Sequence, residues 1–254
     1  MSHFSLKYFF LFFFFINFSK LYSQVPLVEN KTILYKQENV YGITINNNGF
    51  GISYKNSRNI TGSKKFDICI DFVNIKDDKE YKVFSENENA KGFVYGKLSS
   101  LYVLRTGLGL QRKLFEKPEK RGVEIKYNIS GGLSTAFLKP VYLYIKNYSR
   151  ISYDYVLTSE KYDPNKHDLD NIFGRAPINE GLNETKINVG AFVKTSFMFD
   201  YASREDAKSI KAIETGLVLD IFPNAINIMA DEKNHHFFLT MYVGLYIGKK
   251  KYNN

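Results

Sequence analysis

Histidine, serine and carboxylate side chains are the residues of this chain most able to support acid–base or nucleophilic chemistry. The candidates are His167, His235 and His236, with Ser159 and Asp168 nearby in the sequence. A histidine activates a serine only when the two side chains lie within hydrogen-bond reach and a third group orients the imidazole ring. These candidates lie in predicted loops, and closeness in sequence does not supply that geometry. We therefore expect no catalytic residues, and a hydrolase remains an alternative that depends on the histidines.

A metal or phosphate site needs a different arrangement of ligands. His235 and His236 lie close to Asp231 and Glu232, and all four side chains are of types that bind metal ions. Adjacent residues of a strand point to opposite faces, so the two histidines cannot share one ion. The glycines of Gly107-Leu108-Gly109 lie within a strand pattern, where glycine relieves crowding instead of cradling phosphate. We expect neither a metal nor a cofactor.

Alternation with a period of two is the pattern that organises the rest of the chain. From Phe237 to Gly248 the odd positions are wholly apolar, whereas the even positions are mostly small, hydroxylated or aromatic. Residues 186–201 repeat this pattern, with three charged side chains on one face and none on the other. About nine such segments occur between residues 41 and 248, by the rules for strand signals. The pattern predicts an all-β protein.

Two arrangements of strands could produce this alternation. A soluble sandwich buries its apolar face against a second sheet and turns its charged face to water. A closed antiparallel transmembrane β-barrel does the reverse, with an apolar face towards lipid and a polar face towards the lumen. The segments here are near the ~9 to 11 residues of a tilted membrane strand, and tyrosine and phenylalanine are frequent near their ends. These features favour the membrane barrel.

Ionisable side chains fall on the face that a barrel would turn inward. A buried charge without a partner has a large desolvation cost, so we expect these side chains to form a polar network of ion pairs and hydrogen bonds. Arg105 with Glu124, and Lys194 with Glu214, lie on strands that are close in sequence and are predicted as partners. A small barrel is only wide enough for its own side chains, so the predicted lumen is narrow and filled. The predicted network consists of Asp67, Asp71, Arg105, Glu124, Lys126, Lys186, Lys194, Asp200, Glu214 and Asp220.

Bacterial barrels of a single chain have an even number of strands, short periplasmic turns and longer outer loops. With a periplasmic C-terminus, the long connections 147–185 and 223–235 lie outside the cell. Gly131-Gly132 and Asn46 to Gly49 then become periplasmic turns, and Thr32 to Lys36 supplies a tenth strand. The charged segment 75–96 fits this scheme poorly, as an unusually long periplasmic turn. We predict about ten strands, with eight as the alternative.

The N-terminal residues have the layout of a signal peptide. Lys7 precedes the apolar run Tyr8 to Ile16, and a short polar stretch ends in Ser23 before Gln24. The run is too short to cross a bilayer as a helix. We predict cleavage between Ser23 and Gln24, which gives a signal peptide over 1–23 and one barrel domain over 24–254, with 147–185 as its long loop. Cys69 is the single cysteine, which excludes an intrachain disulfide.

The formal net charge of +9 could favour anionic lipid or nucleic acid. The lysines do not form one block, however, and they are scattered through predicted turns and loops. This distribution indicates a solvated rim. We expect no nucleic-acid partner.

Three stretches resemble an uncharacterised barrel family of Gram-negative bacteria. They are Tyr95-Gly96-Lys97-Leu98 to Arg105, Gly122-Val123-Glu124-Ile125, and Lys139-Pro140-Val141-Tyr142-Leu143. With the signal segment and the alternation over 32–248, the chain resembles the small outer-membrane β-barrel proteins of these bacteria. The resemblance implies export to the outer membrane, contact with outer-membrane lipid and insertion by the barrel-assembly machinery. It implies no activity.

The expected function is that of a non-enzymatic outer-membrane barrel that binds a ligand or partner through its outer loops, or that supports the envelope. A secretion or assembly accessory is an alternative, in which the charged segment 75–96 meets a periplasmic partner. An outer-membrane hydrolase is a second alternative, and a soluble periplasmic ligand-binding barrel is a third.

Overall fold

The computed structural model describes residues 37–85, 90–116, 122–148, 155–202, 208–230 and 235–251, all within one compact unit, Leu34–Asn254. The predicted cleavage site at Ser23 and Gln24 and the predicted strand Thr32 to Lys36 lie outside the described residues. Among the described residues, no helix is long and apolar enough to cross a membrane.

The described residues form thirteen strands and one short 3-10 helix, Leu182–Glu184. The strands are β1 (Gln37–Asn46), β2 (Gly49–Asn59), β3 (Lys64–Ile75), β4 (Lys82–Val83), β5 (Phe93–Val94), β6 (Ser99–Phe115), β7 (Glu124–Pro140), β8 (Tyr142–Tyr148), β9 (Tyr155–Lys161), β10 (Ile172–Arg175), β11 (Lys186–Asp200), β12 (Ser209–Ile226) and β13 (His235–Lys251).

Eight of these described strands form a closed barrel in the order β1-β13-β12-β11-β7-β6-β3-β2, and every pairing in it is antiparallel. The prediction of an all-β closed antiparallel barrel is confirmed. Following paired residues once around the ring from Phe197 leads back to β11 at Ile187, ten residues away. This stagger gives strands tilted by about 40° to the barrel axis.

The alternative number of eight strands is correct, and the number of ten is wrong. The error arose at Gly131-Gly132, which was predicted as a turn. β7 runs through both glycines without interruption and pairs with β6 and β11 along its length. A Cβ atom on Gly132 would overlap the backbone of Thr106, so glycine serves close approach of two strands here.

Correcting the number of strands also changes which connections share an end. The terminal end, where β1 begins and β13 ends, carries the connections 60–63, 116–123 and 201–208. The opposite, loop end carries the turn 47–48 and the connections 76–98, 141–185 and 227–234. The segment 75–96 and the Asn46 to Gly49 turn therefore lie at the same end as 147–185. Their predicted placement at the opposite end from 147–185 is wrong.

Candidate functional site

The lumen holds most of the ionisable side chains that the sequence placed there. Asp67, Asp71, Arg105, Lys126, Lys194, Asp200, Glu214 and Asp220 are buried on the inward face of the barrel. Glu124 is half-buried near the terminal end, and Lys186 is exposed at the first residue of β11. Lys186 is therefore not part of the lumen network, because β11 extends beyond the covered part of the lumen at that point.

Arg105 and Asp220 form the ion pair nearest the loop end. Arg105 donates from Nε to Asp220 Oδ1 over 2.9 Å and from an Nη atom to Oδ2 over 2.5 Å. Ser134 Oγ donates to the same carboxylate over 2.7 Å. The side chains of the pair are 3% and 0% exposed. Two parallel hydrogen bonds from a planar guanidinium fix both orientation and distance, so the pair joins β6 to β12 across the lumen.

Lys194 and Asp71 form the next pair towards the terminal end. Lys194 Nζ donates to Asp71 Oδ2 over 2.7 Å, and both side chains are buried. The ammonium group also lies 4.7 Å from the ring centroid of Tyr242. The pair links β11 to β3, and the aromatic ring gives the cation a second favourable contact.

Glu214 is the centre of a third cluster. Its carboxylate accepts hydrogen bonds from Lys55 Nζ at 3.0 Å, from Ser196 Oγ at 2.8 Å and from Tyr242 Oη at 2.7 Å. Asn128 donates to Ser196 Oγ over 3.3 Å. This cluster ties five strands together through one buried carboxylate.

A fourth group of charges lies near the terminal end. Lys65 Nζ is 2.7 Å from Glu38 Oε1, and both are buried. Lys126 Nζ lies 3.3 Å from Glu124 Oε1 and 3.5 Å from Asp200 Oδ2. Cations and acids are therefore paired at successive levels of the lumen, from Arg105 to the terminal end.

The predicted partners within the network were wrong. Arg105 pairs with Asp220 and not with Glu124, and Lys194 pairs with Asp71 and not with Glu214. The ring explains the error: β6 and β12, like β11 and β3, are three strands apart in the ring order, so their inward side chains meet across the lumen. The predicted partners Glu124 and Glu214 lie at a different height in the lumen from Arg105 and Lys194, because the register pairs Arg105 with Ser134 and Lys194 with Val218.

Three buried charges of the lumen were missed from the sequence, namely Glu38, Lys55 and Lys65. Each lies on the inward face of a strand whose alternation was recognised over a shorter range. Extending the pattern of Tyr41 and Ile43 back along β1 places Glu38 inward. The same extension of β2 and β3 finds Lys55 and Lys65.

Apolar side chains fill the lumen on both sides of the central ion pairs. Towards the loop end lies a buried cluster of Val73, Ile75, Leu101, Val103, Ala136, Phe222, Ile226 and Ile228. Towards the terminal end lies a second cluster of Val40, Met198, Ile210, Ala212 and Tyr246. The Arg105–Asp220 and Lys194–Asp71 ion pairs thus lie between two packed apolar clusters.

The connections at the loop end form one structure, here called the loop assembly, which comprises residues 76–85, 90–98, 141–148, 155–185 and 227–230. It contains a three-stranded sheet in the order β10-β8-β9 and the two-stranded β4-β5 sheet. Backbone hydrogen bonds join Arg175 to Lys91, Leu98 to Ile228, and Ala230 to Gly96. Lys97 Nζ lies 2.5 Å from Glu80 Oε2, and burial lowers the pKa of Lys97 below its ordinary value. The long loop is therefore a folded unit with its own apolar core, consisting of Phe93, Leu143, Ile145, Tyr162 and Ile172.

His167 belongs to the fold of this assembly. Its imidazole is 4% exposed, and the backbone N–H of Asp163 donates to Nδ1 over 3.0 Å. Since Nδ1 accepts, the proton is on Nε2, which faces Glu160 Oε2 at 3.4 Å. Ser159, the nearest candidate nucleophile in the sequence, donates its hydroxyl hydrogen bond to Glu180. The ring closes the turn that begins at Asp163.

His235 and His236 have different surroundings. His236 Nδ1 lies 3.1 Å from the carbonyl oxygen of Phe222, and the ring of His235 is 6.1 Å from that of Phe238. Within the described ranges, no three His, Cys, Asp or Glu side chains are grouped so as to hold a metal ion.

The outer wall of the barrel has a polarity opposite to that of the lumen. The alternate residues that point outward include many large apolar side chains, among them Ile43, Ile52, Leu108, Leu133, Val193, Leu217, Leu239, Val243 and Leu245, all exposed. All seven Asp and Glu residues of the eight described barrel strands are on the inward face. Between Lys249 and the start of β13 at His235, the outward positions are Phe237, Leu239, Met241, Val243, Leu245 and Ile247.

Hydroxyl groups within this apolar belt have partners in the protein. Thr195 Oγ1 donates to Tyr127 Oη over 3.0 Å, and Thr215 Oγ1 donates to the carbonyl oxygen of Tyr242 over 3.2 Å. Both threonines line an open groove of about 700 Å³ on the outer wall, together with Phe197, Leu217 and Met241. These two hydroxyl groups are therefore paired within the protein where they face the apolar belt.

No family model matches this chain, and no curated protein matches it in sequence. Among solved structures, the crystal structure of Neisserial surface protein A (NspA) matches with a TM-score of 0.39 and 8% sequence identity. The match covers 85% of this chain and 96% of that chain. The proposed function therefore rests on this chain's own residues.

Proposed function

We propose that this chain is a non-enzymatic outer-membrane β-barrel protein that binds a partner through its loop assembly. The observation that carries this proposal is the outward face of the barrel, which is free of acidic side chains on the described strands and apolar along most of its height. Ten strand residues tilted by about 40° rise about 25 Å, which is the height of the lipid-facing band of such barrels. Soluble monomeric proteins rarely expose a continuous apolar surface of this extent.

The filling of the lumen by side chains argues against transport of solutes through a wide pore. Its ion pairs join opposite strands, and apolar clusters occupy both sides of them. An eight-stranded barrel has only enough interior for its own side chains. The proposed barrel is therefore narrow and filled, with a structural lumen.

The loop assembly supports a binding role. Tyr148, Tyr155, Val156 and Leu157 expose apolar surface where β8 and β9 project, and β9 is the edge strand of its described sheet. Exposed aromatic side chains at an edge strand suit a protein partner that adds backbone hydrogen bonds and fills apolar contacts. We place this partner outside the cell, since long loops of bacterial barrels face outward and short turns face the periplasm. Insertion would depend on the barrel-assembly machinery.

The accessory and hydrolase roles have less support. The accessory role depended on a periplasmic 75–96 segment, and this segment packs with 141–185 at the loop end. The hydrolase depended on the histidines, of which His167 is held in a turn of the loop assembly and His236 faces a backbone carbonyl oxygen.

Two substitutions by arginine separate a membrane barrel from a soluble one. Val243 lies midway along the apolar belt and is 53% exposed, whereas Leu182 lies in the loop assembly and is 55% exposed. In lipid bilayers, Val243→Arg should lower the free energy of unfolding by about 2–4 kcal/mol, and Leu182→Arg should have little effect. The measurement is denaturant unfolding of vesicle-inserted protein, followed by heat-modifiable gel migration. Equal, small effects of both substitutions, with release of the wild-type protein by alkaline wash, would support the soluble barrel instead.

A further inference from the structure

Six exposed cations lie on the outer wall at the terminal end, and we call them the cationic girdle. They are Arg58, Lys64, Arg112, Lys211, Lys249 and Lys251. Each occupies an outward position next to the lower edge of the apolar belt. Lys249 follows Ile247 by two residues, and Lys211 precedes Ile213 by two.

The strand register brings these cations to a similar height. Lys64 is paired with Arg112, Gln37 is paired with both Arg58 and Lys251, and Asn39 is paired with Lys249. The girdle therefore forms two arcs: Lys211, Lys249 and Lys251 on β12 and β13, and Arg58, Lys64 and Arg112 on β2, β3 and β6. The outward face of β1, which is uncharged, separates the two arcs.

The remaining strands at this level carry no girdle cations. β7 and β11 present Ile125, Tyr127, Phe197 and Phe199 on the same side of the barrel. The charge is thus concentrated over one part of the circumference. The acids of the described barrel strands all point into the lumen. Among the described residues at this end, the exposed acid Glu116 lies just after β6 and pairs with Lys113 at 3.2 Å.

We propose that the cationic girdle binds the phosphate groups of anionic phospholipids in the leaflet at the terminal end. This inference rests on the proposed membrane location. Lysine and arginine at the edge of an apolar belt extend their aliphatic stems along the hydrocarbon and place their charges at the headgroup level. Anionic headgroups attract cations at this level, and arginine can bind a phosphate through two hydrogen bonds.

Phospholipid, and not phosphorylated lipid A, is the expected source of the phosphate. The girdle lies at the end where β1 begins and β13 ends, together with the short described turn 60–63, and short turns face the periplasm in bacterial barrels. The loop end, where lipid A would lie, presents Lys139 as an outward cation near the belt of the described strands.

The test compares lipid binding by full-length protein folded in detergent, using native mass spectrometry with added phosphatidylglycerol, phosphatidylcholine or lipid A. One variant neutralises the first arc (Lys211→Gln, Lys249→Gln, Lys251→Gln), and another neutralises the second (Arg58→Gln, Lys64→Gln, Arg112→Gln). The control removes the same charge from exposed positions at the loop end (Lys79→Gln, Lys166→Gln, Lys186→Gln). Heat-modifiable migration checks that each variant is folded.

Wild-type protein should retain phosphatidylglycerol in preference to phosphatidylcholine, and high salt should weaken this preference. Each arc variant should bind phosphatidylglycerol about tenfold or more weakly, and the control should bind it as the wild type does. Equal binding of both phospholipids, or an equal loss in the control, would overturn the girdle proposal while the membrane location stands. A preference of the girdle for lipid A alone would overturn the assignment to phospholipid. If an arc variant does not fold, the proposal is tested by the wild type, whose binding should prefer phosphatidylglycerol over phosphatidylcholine and weaken at high salt.

Discussion

The Arg105–Asp220 and Lys194–Asp71 ion pairs each join strands that are three apart in the ring, and this arrangement determines what each side chain contributes. An ion pair shielded from water repays its desolvation cost only when the geometry is good and the remaining hydrogen-bonding atoms are satisfied. Asp220 meets this condition, because Arg105 and Ser134 both donate to it. Losing one partner leaves an uncompensated charge in the lumen.

Arg105→Met should therefore lower the free energy of unfolding by about 3–5 kcal/mol, measured by denaturant titration of the protein in vesicles. Adding Asp220→Met should restore much of the loss, since no charge then remains unpaired. Lys161→Met is the matched control, because Lys161 and Glu184 form a half-exposed pair at 2.8 Å that solvent screens, so its loss should have a much smaller effect. A double variant no more stable than Arg105→Met would contradict the role assigned to the pair.

The exposed acids of the loop assembly predict a pH dependence. A hydrogen bond from Lys161, with a second from Tyr142, lowers the pKa of Glu184, and hydrogen bonds from Thr158 and Asn147 lower the pKa of Glu160. A carboxyl group with a lowered pKa stabilises the fold above its ordinary pKa, and the stabilisation is lost as the pH falls through the folded value.

Amide hydrogen exchange of β8 and β9 should accordingly become faster as the pH is lowered below ~4, after correction for the intrinsic exchange rate. Glu184→Gln should reduce this change, because the variant cannot gain a proton at that site. A change of the same size in the variant would show that Glu184 has no part in it.

Which side chains face the lumen could be predicted from the sequence, but the partners of those side chains could not. Alternation places Arg105, Lys194 and Asp220 inward because neighbouring residues of a strand point to opposite faces. Which charged side chains form ion pairs depends on the number of strands and on the stagger of the ring, and neither can be read from the sequence of a single strand. Lys186 shows a second limit of prediction from alternation. It occupies an inward position of the pattern, but it is exposed because it is the first residue of β11.

β7 shows how one element can be divided in error. Glycine pairs are strong signals for turns, and Gly131-Gly132 lies between two alternating segments. In the structure these glycines lie where β6 and β7 approach closely, opposite Leu108 and Gly107. The strands β9 and β10 are short and belong to the loop assembly, and their region was predicted only as part of the long loop 147–185.

Gly132→Ala should destabilise the barrel by about 1–3 kcal/mol, because the added methyl group would overlap the backbone of Thr106 and lie 2.5 Å from Gly107 Cα. Gly131→Ala is the matched substitution on the adjacent residue. Its nearest atom would be the carbonyl oxygen of Phe192 at 3.2 Å, so the effect should be smaller. Unfolding of both variants in the same vesicles gives the comparison, and a larger loss for Gly131→Ala would contradict this description of β7.

In the proposed membrane location, the distribution of connections between the two ends gives the whole molecule a direction. The loop assembly lies at the loop end, whereas residues 60–63 lie at the terminal end. In intact cells, a membrane-impermeant maleimide should label Lys79→Cys and Lys166→Cys but not Thr61→Cys. Permeabilising the outer membrane should allow labelling of the last variant. The wild type provides the background, because Cys69 is 3% exposed; labelling of Thr61→Cys alone in intact cells would reverse the orientation.

Pairing of β1 with β13 has a consequence for the time course of biogenesis. The seam joins Gln37 to Lys251, which are 214 positions apart in the sequence, so the first strand keeps an open edge until the last strand has been synthesised and can pair with it. An open edge invites pairing with other chains. If the chain takes the proposed route to the outer membrane, it must be held apart from its own copies before insertion, and a chain that stops before β13 should be cleared by proteases and not accumulate as a smaller barrel.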